Sequence, residues 1–88
     1  MHNIASSKIS PSAELVTPGQ LRAARAFLRL TADELAARSS VTRHTINAFE
    51  AEKRTPHPST LAALQRALEM AGVRFIGETG VEVTPTQP

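Results

Sequence analysis

The sequence predicts a mainly α fold, four short helices followed by a short C-terminal β-hairpin or strand segment, on three grounds. Apolar residues recur at helical spacing, most clearly at Leu21, Ala24 and Leu28 and again at Leu61, Leu64 and Leu68. Hydroxyl residues at Thr17, Thr31 and Thr42 stand just ahead of helical stretches, where a side-chain oxygen can accept from the free amides of a first turn. Beyond Gly72 the period changes: Val73 and Phe75, then Val81 and Val83, alternate with Arg74, Ile76 and Glu82. The 88 residues make room for one small domain. Their 41% apolar content, mostly small aliphatics with three Phe and no Trp or Tyr, suits a tight helical core.

Residues 1–16 carry scattered Ser, Pro11 and no sustained periodicity, and are expected to form a flexible arm. Thr17 with Pro18 at the first helical position opens the first helix, which runs to about Arg29. Thr31 and Glu34 form a capping-box pair, so the second helix spans Ala32 to Ser39. Thr42 caps a third short helix with Ile46, Phe49 and Glu50 on its inward face. Residues 51–58 are charged and proline-bearing and read as a loop, with His57 a loop residue of no special chemistry. The fourth helix starts near Ser59, turns Leu61, Leu64, Leu68 and Ala71 to one face, and stops at Gly72. Residues 17–72 thus form the helical domain, 73–83 the strand segment and 84–88 a frayed tail. A three-residue loop at Glu78, Thr79 and Gly80 sets Phe75 opposite Val83 and Gly77 opposite Val81, which keeps one face apolar. Shortening that loop by one residue would set Phe75 opposite Glu82.

The connection between the second and third helices is too short for an antiparallel pair and forces a steep crossing, the geometry of a helix-turn-helix. The stretch LRAARAFLRLTADELAARSSVTRHTINAFEAEKRTPHPSTLAALQRAL, residues 21–68, closely resembles the Cro and phage-repressor type of helix-turn-helix, the XRE family. The matching features are Leu35 and Ala36 in the second helix, Val41 in the turn, Thr45, Ile46 and Glu50 in the third helix, and Arg54 and Pro56 in the loop. Ser40 and Glu52 stand at positions often held by Gly in that family. Glu52 also sets a negative charge near the expected phosphate surface.

The resemblance implies a four-helix Cro/repressor-like domain that regulates transcription by binding double-stranded DNA, with the third helix in the major groove. Ala36 would be small because the third helix crosses there, and Ile46 would fill the contact between the helices. Arg25 and Glu50 would form a partly buried ion pair. Their positions on apolar helix faces, where an unpaired charge is costly, support that pairing independently. Arg43, His44, Asn47 and Ala48 face outward as base-reading candidates. Arg43 suits guanine O6 and N7, Asn47 suits adenine or a phosphate, and His44 suits guanine or a phosphate. Backbone contacts are expected at Thr31 and Ala32 at the start of the second helix, and at Arg38, Thr42, Thr45, Lys53 and Arg54. For Thr42 the helix-cap role comes first.

One module reads few base pairs, and a mismatch costs roughly 1–3 kcal/mol, so a homodimer on a palindromic operator is expected. The strand segment supplies a contact for it at Val73, Phe75, Ile76, Val81 and Val83. Its strands pair either within one subunit or across the two-fold. The alternative is an antitoxin or protein-binding adaptor on the same fold, partnered by a toxin or another regulator.

The net charge of +2 favours polyanions only weakly. Placement says more, since Arg38, Arg43, Lys53 and Arg54 cluster with His44 and His57 in one stretch. The absence of cysteine excludes disulfides, thiolate metal sites and a cysteine nucleophile. The three His show no metal-ligand spacing and no Gly-rich phosphate loop occurs, so no catalysis, metal or cofactor is expected. The scarcity of aromatics argues against base-stacking single-strand modules. With no apolar run approaching the ~20 residues of a membrane span, a cytoplasmic location is expected.

Overall fold

The computed structural model describes residues 15–83. In chain order these form α1 (Pro18–Leu28), α2 (Ala32–Ser39), α3 (Arg43–Glu50), α4 (Pro58–Met70), β1 (Val73–Ile76) and β2 (Gly80–Val83). The expected frayed tail, and the expected arm up to residue 14, lie outside the described residues.

Each helix begins where a side chain satisfies its free amides. Thr17 Oγ1 accepts from the Gln20 amide at 3.2 Å while Gln20 Oε1 accepts from the Thr17 amide at 3.0 Å, a reciprocal box with Pro18 at the first helical position. Thr31 and Glu34 repeat the box on α2 at 3.0 and 2.8 Å. Thr42 Oγ1 accepts from the Thr45 amide at 3.2 Å to open α3. At α4 the structure corrects the sequence reading of His57. His57 is the N-cap, its Nδ1 accepting from the Ser59 amide at 3.2 Å, and the helix begins at Pro58, whose fixed φ suits a first turn.

The first two helices end on left-handed residues. Arg29 closes α1 at φ 57°, and Ser40 closes α2 at φ 62° with its amide bonded to the Ala36 carbonyl at 2.9 Å. After α3, the Glu52 amide donates to the Phe49 carbonyl and the Lys53 amide to the Ala48 carbonyl, both at 2.9 Å. That is a Schellman closure, and it requires the φ of 61° found at Glu52.

Leu21, Leu35, Ile46, Leu64 and Leu68 are fully buried at the centre, joined by Ala24, Val41, Phe49, Leu61 and Val73. Burying each large aliphatic contributes about 1.5–3 kcal/mol. Val16 corrects the expected boundary of the arm: it is a core residue, and its amide donates to Gln65 Oε1 at 3.0 Å. It precedes the cap of α1 while Leu21 is the fourth helical residue, so the two occupy the positions of a hydrophobic staple.

The strands pair antiparallel, Val73 with Val83, Phe75 with Val81 and Ile76 with Gly80. The loop has three residues, as expected, but they are Gly77, Glu78 and Thr79, so Phe75 lies opposite Val81 and not Val83. Both registers keep the same face apolar, and two contacts favour the one formed. Gly80 lies so close to Ile76 that a Cβ there would come within 2.9 Å of the Ile76 Cβ. The side-chain Nε2 of buried Gln20 donates to the carbonyls of Gly77 and Gly80, each at 3.0 Å, and so clamps the turn onto α1.

Candidate nucleic-acid interface

The third helix is held in place from its inner face. Ile46, Phe49 and Glu50 are buried. Arg25 reaches Glu50 in a bidentate fork, Nε to Oε2 and Nη2 to Oε1, both at 2.7 Å, while its Nη1 donates to the Leu30 carbonyl at 2.8 Å. The hydrogen bond to Glu50 pushes the Arg25 guanidinium above its ordinary range, against the opposing effect of burial. Arg22, which sequence reasoning passed over, adds a second tie: its Nη1 donates to the Glu50 carbonyl and lies 3.7 Å from Glu52 Oε2. The one signal available for it was its position one turn before Arg25.

The opposite face of α3 is open. Arg43, His44 and Asn47 are exposed, and Ala48 is half-buried between them and the frame. Arg43 is not solitary, because its Nε lies 3.6 Å from Asp33 Oδ1 at the start of α2. The Thr42 hydroxyl accepts from the Thr45 amide and donates to Thr45 Oγ1 at 3.0 Å, so its proton is spent within the helix start. Thr45 is half-buried.

The remaining candidates flank this face. At the start of α2 the Thr31 amide is taken by Glu34 Oε1, which leaves the Ala32 amide among those without an intrahelical partner. Arg38 is exposed in the last turn of α2. Lys53 and Arg54 are exposed directly after the Schellman closure, which fixes where the backbone leaves α3. His44, Arg54 and His57 line one cleft of about 260 Å³ with Thr45, Pro56 and Thr60, so the structure brings a base-facing candidate and a phosphate candidate together. Sequence reasoning missed His57 as a wall of this cleft.

The strand residues divide. Val73 is a core residue, Phe75 and Val81 are partly buried against the core, and Ile76 and Val83 are 52% and 43% exposed. Ile76 stands on the outer face beside Arg74 and Glu82, whereas Val83 ends the inner face that carries Val73, Phe75 and Val81.

Among the described residues no group of three or more His, Cys, Asp or Glu could hold a metal ion. No helix among them is long and apolar enough to cross a membrane. The outward face of α3 presents the Arg43 guanidinium, the His44 imidazole and the Asn47 amide to solvent. A family model described as helix-turn-helix matches residues 21–71, which takes in all four helices apart from the first residues of α1. No curated protein matches the chain.

Proposed function

The chain belongs to the XRE family of helix-turn-helix proteins, the Cro and phage-repressor type of DNA-binding regulator, and from that membership we propose that it is a sequence-specific repressor acting as a homodimer on a palindromic operator. The observation that carries this reading is the division of α3, with Ile46, Phe49 and Glu50 locked inward and Arg43, His44 and Asn47 turned to solvent. A helix held in that way can enter a major groove without first paying to become ordered.

In this reading Arg43 takes guanine O6 and N7, Asn47 takes adenine N6 and N7, and Ala48 offers an apolar surface to a thymine methyl. His44 serves guanine or a phosphate. The Ala32 amide, Arg38, Thr45, Lys53 and Arg54 hold the sugar-phosphate backbone and set the register. Pairing of two copies places the recognition helices ~34 Å apart, one turn of the duplex. The exposed Ile76, on the outer face of the hairpin, supports the hairpin as the contact between them.

Selection of bound sequences from random duplex DNA at a stated ionic strength tests this. The expected product is an inverted repeat with half-sites about one helical turn apart. Recovery of sequences with no shared pattern, from protein whose fold is intact, would overturn it.

A further inference from the structure

Arg43 breaks a local rule. A cation at the first position of a helix opposes the positive end of the helix dipole, and α3 has no acidic residue in its first turn to compensate. The compensating charge comes from the other helix of the motif: Asp33 Oδ1 lies 3.6 Å from Arg43 Nε, across the turn. Asp33 is not needed to cap α2, because Glu34 already closes the capping box there. It also carries a negative charge onto the face proposed to meet phosphates, which costs affinity on every sequence.

We propose that Asp33 is a specificity-determining positioning residue, which holds the Arg43 guanidinium by its Nε side so that the terminal nitrogens are presented to a base edge. The proposal rests on the reading of α3 as the recognition helix. A long arginine side chain left to itself samples many rotamers and meets phosphate as readily as guanine. Held by Nε, it keeps two parallel donors for the O6 and N7 acceptors of guanine, a pattern no other base presents. The negative charge of Asp33 adds to the selection, because it penalises weak general binding while the bidentate contact offsets its cost only at the right base.

The test is equilibrium binding to the selected operator, to that operator with the Arg43 base pair replaced by each alternative, and to an unrelated duplex. Asp33→Asn, which keeps the side chain's size, is expected to tighten binding to the unrelated duplex. It should lower discrimination at the one base pair by about two- to fivefold, the span commanded by an exposed ion pair. Glu52→Gln, which removes an acid elsewhere on the same surface, should raise affinity on all duplexes and leave that discrimination unchanged. In an Arg43→Ala background, Asp33→Asn should cause no further loss at that position. If the unaltered protein prefers its operator and Asp33→Asn leaves the preference at that base intact, the role of Asp33 is wrong while the regulator reading stands. If the unaltered protein binds all duplexes equally, the regulator reading falls and the role of Asp33 falls with it.

Discussion

At the scale of single residues, one ion pair ties the third helix to the first. Glu50 has a side chain only 9% exposed, and it accepts two hydrogen bonds from Arg25. Removing the carboxylate leaves a partly buried guanidinium with one carbonyl partner, so Glu50→Ala is expected to lower unfolding stability by about 2–3 kcal/mol, measured by denaturant titration. Arg25→Lys should recover little of that bidentate fork, because an ammonium cannot match its geometry. The family resemblance implied the pair, and two charged residues on faces otherwise apolar supported it. The contact of Arg22 with the Glu50 carbonyl was not legible in the sequence, since a carbonyl acceptor leaves no mark on residue type. His57 as a helix cap was hidden similarly, histidine being an uncommon choice for a position that favours Ser, Thr, Asp and Asn.

Elements are set by their ends more than by their middles. Four caps, three threonines and a histidine, start the helices. Left-handed residues at Arg29 and Ser40 close the first two, and Glu52 completes the closure after the third. A non-glycine residue pays about 1–2 kcal/mol in that conformation, less what glycine loses in chain entropy. Ser40→Gly is therefore expected to stabilise the fold by up to about 1 kcal/mol, seen as a rise in melting temperature with little change in helical content. A fall in melting temperature would show that the Ser40 backbone carries no strain. The extent of α2 was legible to the residue, because its cap box and its turn both have sequence signatures. The hairpin register was not. Two pairings differing by two residues keep the same residues on the apolar face, so period alone cannot separate them. The contacts favouring one of them, Gln20 on the turn carbonyls and Gly80 under Ile76, join residues up to 60 positions apart. Val16 was lost to the arm for a related reason, since a single apolar residue before a helix cap has no period to betray it.

On the scale of the whole molecule, α3 packs against α1 and α2, and the hairpin extends the fold on α1 and α4. Of the hairpin's apolar side chains, Ile76 is the one exposed on the outer face, so the proposed subunit contact depends on it and not on Val73. Ile76→Asp is expected to yield monomers by sedimentation while leaving the melting temperature nearly unchanged. A variant that stays dimeric would place the contact elsewhere. What matters most is whether the outward face of α3 reads bases, and the most direct measurement is the affinity of the protein, of Arg43→Ala and of Lys53→Ala for a panel of operators, each altered at one base pair, over a range of salt. If α3 lies in the major groove, Arg43→Ala costs about 1–3 kcal/mol and erases preference at one position, whereas Lys53→Ala weakens every duplex alike and reduces the salt slope by about one. Uniform losses from both substitutions, with every base preference retained, would mean that some other surface reads the sequence.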